Sequence, residues 1–175
     1  GPAKLTVVGA NVPGCGALAR AREAGIATFV LDHKTFGSRA EFDAALLQSL
    51  RGHGIELVVL AGFMKLVGSD FLGRFENKVV NTHPALCPSF PGVRGPADAL
   101  EYGVKVTGAT LFVVDAGVDT GVIIAQAVVP VEDDDDVESL HERIKVAERE
   151  MLVENVGRMA REGLSITGRR VRFGA

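Results

Sequence analysis

The sequence has few aromatic residues and no tryptophan. Phe, Tyr and Trp together make up 6% of its 175 residues, and only one of them is a tyrosine. Aliphatic side chains must therefore fill the interior, which favours strands that helices bury on both faces. A chain of this length can bury about 70% of its unfolded surface in a single domain, so a core needs neither disulfides nor metals.

Other features are missing as well. The net charge is −3 and no run rich in lysine or arginine occurs, so the electrostatic signature of a nucleic-acid binder is absent. No apolar stretch approaches the ~20 residues that span a bilayer, and no signal peptide is visible. Cys15 and Cys87 lie far apart in no metal-type spacing, which favours a reduced, cytoplasmic location.

Strand and helix patterns alternate along the first half of the chain and are followed by two long β-rich runs. Short apolar runs predict strands, helical periodicity predicts helices, and Ser38 is a candidate N-cap. The predicted strands are 5–8, 27–31, 55–60, 78–80, 107–114 and 122–131, and the predicted helices are 17–24, 39–51, 97–102 and 136–161.

This order predicts an α/β fold with a mostly parallel sheet covered by helices. Only seven residues separate the last two strands, so they are expected to form an antiparallel hairpin at the edge of the sheet. We expect one domain over residues 1–175. Gly1 and Pro2 resemble the scar that protease cleavage of an expression tag leaves, and they are set aside.

A polar segment, Asn81-Thr82-His83-Pro84, follows the buried strand at 78–80. In open α/β sheets, ligand crevices lie outside the carboxyl ends of the strands. Alternation along a strand places Asn81 and His83 on one side and Thr82 on the other. The simpler alternative is a turn-forming asparagine and a solvated histidine before a proline, and the segment alone fits both interpretations.

A second polar segment, residues 115–121, holds two aspartates and two glycines. This composition is typical of a tight loop in which Asp119 caps its own backbone. The combination with the first segment indicates more, because a loop carboxylate that meets an imidazole at the end of a sheet can share a proton-transfer task. Asn81, His83 and Asp119 are therefore the candidate catalytic residues.

These segments resemble a known family. The runs VNTHPALCPSFPG (80–92), GAT (108–110) and VDAGVDTG (114–121) look like the signatures of the folate-dependent formyltransferases, as does the separation of Asn81 from Asp119. The resemblance extends from about Val7 to the end of the chain. It implies a Rossmann-like three-layer sandwich, and it is greatest to the members that act on glycinamide ribonucleotide in purine synthesis.

The resemblance implies a formyl transfer that these residue types can support. The amine of glycinamide ribonucleotide would attack the formyl carbon of 10-formyltetrahydrofolate, and an oxyanion would develop. A protonated His83 and the Asn81 amide can donate hydrogen bonds to that oxygen. Asp119 would stabilise the charged imidazole and help to relay the amine proton. No metal is implied, and the four histidines are too scattered to form a ligand cluster.

The resemblance also implies two binding regions. The expected folate-binding residues are Arg39, Met64, Lys65, Leu66, Val67, Asn81, Asp115, Ala116, Gly117, Val118 and Asp119. The nucleotide would lie against Lys145, Val146, Ala147 and Glu148, with Glu148 accepting a ribose hydroxyl. Glu148 falls within the apolar stripe of the long helix, where a carboxylate is costly unless paired. The alternatives are a buried salt bridge or a solvent-facing helix edge for Glu148, and solvated surface cations for Arg39 and Lys65.

The chain departs from the family pattern in several places. Lys65 stands where members often have Arg, Arg94 where His is common, and Val122 where Pro is common. The opening strand, glycine-rich phosphate loop and helix of the family are not found, because residues 9–16 resemble the second βα unit instead. We expect this first unit to lie ahead of residue 1. The expected partners are small molecules, with no nucleic acid and no membrane, for a monomer or a homodimer.

Three alternatives to this function remain open. A formyltetrahydrofolate hydrolase would carry a second histidine after the catalytic one, whereas Pro84 follows His83. A methionyl-tRNA formyltransferase would add a basic C-terminal domain, which the length and charge of this chain disfavour. A non-catalytic folate or nucleotide binder is motivated by the unmatched phosphate loop, but it has no need of Asn81, His83 and Asp119 together.

Overall fold

The computed structural model describes residues 3–63 and 67–174. The alternation of strands and helices in the sequence reappears in it, with most boundaries shifted by one or two residues. The elements are β1 (Val7–Ala10), α1 (Gly16–Glu23), β2 (Ala27–Val30), α2 (Arg39–Leu50), β3 (Val58–Leu60), α3 (Ser69–Arg74), β4 (Val79–His83), α4 (Gly95–Tyr102), β5 (Val106–Val113), β6 (Ile123–Pro130), α5 (Val137–Glu162), β7 (Leu164–Thr167) and β8 (Arg170–Phe173).

The central sheet has the order β3-β4-β5-β6. Strands β3 and β4 are parallel, whereas β5 is antiparallel to both β4 and β6. Three of the four strands therefore run in the same direction and β5 alone opposes them. The predicted α/β class, the mostly parallel sheet and the antiparallel hairpin at its edge are confirmed.

The two faces of the sheet carry separate hydrophobic cores. Val80 packs with Leu140 and Ile144 of α5 in one cluster, and its neighbour Val79 packs with Phe71 and Phe75 in the other. Adjacent residues of a strand point to opposite faces, so β4 is covered on both sides. The arrangement is the three-layer sandwich that the family resemblance implied.

Side-chain caps fix the ends of two helices that border the site. Ser38 accepts a hydrogen bond from the backbone N–H of Glu41 at the start of α2, as predicted. Asp136 and Ser139 form a capping box at the start of α5. Next to it, the guanidinium of Arg143 binds Asp135 and holds the pKa of that carboxyl well below its usual range. The two aspartates that precede α5, Asp135 and Asp136, thus stabilise its first turns.

Some elements were not predicted. Strand β3 begins at Val58, three residues later than the apolar pattern indicated, and the short helix α3 was missed. The β7–β8 hairpin was also missed, although Leu164 and Ile166 alternate with polar residues before a turn at Gly168. No helix within the described residues is long and apolar enough to cross a membrane.

Strands β1 and β2 form a separate two-stranded parallel sheet. Between it and the central sheet lies an apolar cleft of about 440 Å³, whose lining includes Val7, Phe29, Phe42, Val58 and Phe71. The additional strand–loop–helix unit that the family resemblance suggested stays a prediction. Gly1 and Pro2 lie outside the described residues.

Candidate active site

The first group of candidate residues lies on the central strand β4. Val79 and Val80 are fully buried and anchor the strand between β3 and β5. The pairing with β5 continues through the polar residues, with Asn81 opposite Phe112 and His83 opposite Thr110. The strand therefore extends to His83, and Pro84 follows at its carboxyl end. This is the place where ligand crevices of α/β sheets form.

His83 and Asp119 meet at this end of the sheet. The Nδ1 atom of His83 lies 3.4 Å from Oδ2 of Asp119, and the two side chains are only 4% and 11% exposed. Oδ2 of Asp119 also accepts a hydrogen bond of 2.8 Å from the backbone N–H of Gly92. Asp119 itself adopts a left-handed backbone conformation, with φ of 53°, which aspartate tolerates better than most residues.

The second ring nitrogen of His83 has a partner too. Nε2 lies 2.6 Å from the backbone carbonyl oxygen of Phe90, in the loop that follows β4. A carbonyl and a carboxylate can only accept hydrogen bonds. Each ring nitrogen of His83 therefore faces an acceptor, the Phe90 carbonyl at Nε2 and the Asp119 carboxylate at Nδ1. His83 is thus a buried side chain flanked by two hydrogen-bond acceptors.

Asn81 and Thr82 point to opposite sides of β4. Asn81 is half-buried and shares its side with His83, two residues away. Thr82 faces α5, where its hydroxyl donates a hydrogen bond to Oε1 of Glu148. Glu148 is half-buried and has a polar partner on β4, and that partner is a hydroxyl, not the cation of a buried salt bridge.

The four candidate nucleotide-binding residues of α5 do not share one surface. Glu148 reaches β4, whereas Ala147 packs against the hydrophobic core. Val146 is 49% exposed, and Lys145 forms an ion pair with Glu142. Consecutive residues of a helix are separated by about 100° around its axis, so the four side chains point in different directions, and their contact with a nucleotide stays a prediction.

Arg39 and Val67 of the candidate folate site lie in one region. Gly68, which follows Val67 and is the N-cap of α3, lies next to the first residue of α2. A Cβ atom added at Gly68 would be 3.5 Å from Cδ of Arg39. Val67 itself is 4% exposed and belongs to the cluster around Phe71. The other three residues predicted in this segment, Met64, Lys65 and Leu66, lie outside the described residues.

Asp43 is a buried carboxylate next to this region that was not singled out from the sequence. It is 2% exposed, it accepts a hydrogen bond from the backbone N–H of Gly68, and its Oδ1 atom has no partner among the described residues. Burial raises the pKa of Asp43 above its ordinary value of 3.8, against the lowering effects of Gly68 and Arg39.

A raised pKa makes stability depend on pH in a defined direction. Below the ordinary pKa of about 3.8, Asp43 is neutral in both the folded and the unfolded chain, so no charge has to be moved out of water when the chain folds. As the pH rises through the raised folded-state pKa, the stability that the neutral form contributed is lost. We expect Asp43→Asn, which does not titrate, to gain stability relative to the wild type between about pH 4 and 7. Urea unfolding of both proteins across this range measures the difference, and a difference that moves the other way would contradict the assignment.

The loop of residues 115–121 carries Asp119 to His83. Oδ1 of Asp115 accepts hydrogen bonds from the backbone N–H of Gly117 and from the hydroxyl of Thr120, which folds the loop on itself. Within this loop Val118 is 49% exposed. Arg169, in the β7–β8 turn, donates hydrogen bonds to the carbonyls of Thr120 and Gly121. Arg169 was missed because the hairpin that carries it was not predicted.

Two other residues near the site have defined roles. Burial raises the pKa of the Cys87 thiol, so this cysteine stays protonated at neutral pH and is a poor nucleophile. Arg94, which departs from the family pattern, lies at the start of α4, where it pairs with Asp98 at 3.7 Å and Glu101 at 3.6 Å.

Across residues 3–63 and 67–174, no group of three or more His, Cys, Asp or Glu side chains could hold a metal ion.

Comparisons with known proteins agree on one family. The sequence model of the formyl transferase family matches residues 1–156. A phosphoribosylglycinamide formyltransferase of Mycobacterium tuberculosis is 49% identical over 173 residues, which cover 99% of this chain and 80% of the relative. The trifunctional purine biosynthetic protein adenosine-3 of Gallus gallus is 46% identical over 83% of this chain and 15% of its own length. Among solved structures, glycinamide ribonucleotide transformylase 1 from Symbiobacterium toebii has a TM-score of 0.93 at 44% identity, covering 97% of this chain and 80% of that one.

Proposed function

The chain belongs to the formyl transferase family, and from this premise we propose that it transfers a formyl group from 10-formyltetrahydrofolate to the amine of glycinamide ribonucleotide. The observation that carries the proposal is the buried His83–Asp119 pair, at 3.4 Å, at the carboxyl end of β4 beside Asn81. The names of the relatives indicate the substrate, and the geometry of the His83–Asp119 pair supports the chemistry of the transfer.

In the proposed reaction the amine nitrogen bonds to the formyl carbon and the bond between that carbon and N10 of the folate breaks. The formyl oxygen becomes an oxyanion in the tetrahedral intermediate. Nε2–H of His83 donates to this oxygen in place of the Phe90 carbonyl, and the Asn81 amide is the second donor. Asp119 stabilises the imidazolium through Nδ1. The amine gives up one proton and N10 accepts one.

The folate is proposed to occupy the side of β4 that Asn81 and His83 share, bounded by residues 115–119, Arg39 and Val67. Met64, Lys65 and Leu66 stay predicted folate-binding residues. Glu148 is proposed to bind a ribose hydroxyl of the nucleotide from the α5 side. The proposed location is the cytoplasm, because both cysteines are free thiols, as is usual in a reducing compartment.

A two-substrate assay tests this function. Purified protein is given glycinamide ribonucleotide and a 10-formyl folate, and release of the deformylated folate is followed with and without the amine. Turnover that requires both substrates supports the proposal. Release of folate without the amine would identify a hydrolase, and folate binding with no turnover would identify a binding protein.

A further inference from the structure

Strand β5 carries a buried threonine that none of the roles above uses. Thr110 is 0% exposed and lies directly opposite His83 on β4 and opposite Gln126 on β6. Residues opposite each other on neighbouring strands point to the same face of a sheet. His83, Thr110 and Gln126 therefore form a row across three strands on the face of the proposed reaction.

The hydroxyl of Thr110 is fully occupied by the chain that follows His83. It donates to the carbonyl of Ala85 at 2.7 Å and accepts from the backbone N–H of Cys87 at 3.0 Å. The amide nitrogen of Gln126 donates to Thr110 at 3.1 Å and to the carbonyl of Cys87 at 3.0 Å. One donor and two acceptor positions are all that a hydroxyl offers, so its hydrogen-bonding capacity is complete.

These bonds act on His83 through the loop. Residues 85–87 are the first part of the loop that runs from the end of β4 to Gly92. Its later part supplies the Phe90 carbonyl, 2.6 Å from Nε2 of His83, and the Gly92 N–H, 2.8 Å from Oδ2 of Asp119. The start of the loop is thus tied to β5 and β6, and its end contacts both members of the His83–Asp119 pair.

We propose that Thr110, with Gln126, is a positioning residue: the two side chains fix the loop after β4 and thereby orient the His83 imidazole toward the formyl oxygen. The inference rests on the proposed function. It predicts that loss of the Thr110 hydroxyl misplaces His83 without removing any substrate contact, and a misplacement of about 1 Å can lower a rate on the order of 10²-fold.

The test compares the same substitution at two buried threonines of β5. Thr110→Val keeps the shape of the side chain and removes the hydroxyl. Thr107→Val is the matched control, because Thr107 is 2% exposed and its hydroxyl has no hydrogen-bond partner among the described residues. Thr110→Ser retains the hydroxyl. Steady-state kcat and the KM of each substrate are measured for all three, after circular dichroism has shown that they are folded.

We expect Thr110→Val to lower kcat by about 10- to 100-fold with both KM values little changed, whereas Thr107→Val and Thr110→Ser stay close to the wild type. Equal effects of the two valine variants, or a rise in KM with kcat unchanged, would overturn the proposal. Should Thr110→Val not fold, Gln126→Leu replaces it in the same comparison, with the same criteria.

A second measurement separates this inference from the proposed function. The ring-nitrogen NMR signals of His83 are assigned by their absence in His83→Gln, and they report the surroundings of the imidazole without any substrate. Thr110→Val is expected to shift them and Thr107→Val is not. A wild type that fails to transfer formyl refutes the proposed function, and unchanged His83 signals in Thr110→Val refute the positioning role.

Discussion

Replacing His83 with alanine is expected to lower kcat for formyl transfer by about 10²- to 10³-fold, with the KM of each substrate little changed. The loss of one preorganised donor to an oxyanion typically has an effect of this size, equivalent to ~3–4 kcal/mol of transition-state stabilisation. His83 is 4% exposed and flanked by Phe90 and Asp119, so no solvent donor can readily take its place. Steady-state kinetics with both substrates measures the effect.

The control for this variant is another histidine that lies away from the end of β4. His53 follows α2 in a turn, where its backbone N–H bonds the carbonyl of Leu50. His53→Ala should therefore keep the wild-type rate. A His83→Ala enzyme that retains a tenth or more of the wild-type kcat would show that the imidazole is not the main donor to the oxyanion.

The elements of this fold were largely predictable because hydrophobic periodicity reports them directly. The extension of β4 beyond residue 80 was not predicted, because Asn81 and His83 give no apolar signal and are held in the strand by pairing with β5. The β5–β6 hairpin was predicted because two long β-rich runs stand seven residues apart. Strand β3 is shorter than its apolar run, because the run also includes Ile55 and Leu57, which pack into the two cores outside the strand.

The candidate site was predictable only in part, because many of its contacts depend on loops and on strand register. Asn81 and His83 could be placed on one side of a strand by alternation alone. The residue types gave Asp119 only as a loop carboxylate able to meet an imidazole, and the family resemblance assigned its role. The contacts of Phe90, Gly92 and Arg169 with the site depend on the paths of loops, which hydrophobic periodicity does not predict. The role inferred for Thr110 depends on strand register, which sequence spacing does not determine.

Asp119→Asn is expected to lower kcat by roughly 10²- to 10³-fold, as much as the loss of His83 itself, because the carboxylate acts through that imidazole. An asparagine oxygen can still accept the hydrogen bond from the N–H of Gly92, so the loop stays attached. What is lost is the negative charge 3.4 Å from Nδ1 of His83, and with it the stabilisation of the imidazolium.

Comparison with Asp119→Ala separates the charge of this carboxylate from its hold on the loop. Alanine removes both, so this variant should show the same loss of kcat and, in addition, a raised KM for the folate, because the Gly92 contact is gone. Asp98→Asn, on α4, is the matched control and should leave both constants unchanged. If Asp119→Asn keeps more than a tenth of the wild-type kcat while Asp119→Ala loses it, the carboxylate acts by anchoring the loop, and the charge beside His83 is dispensable.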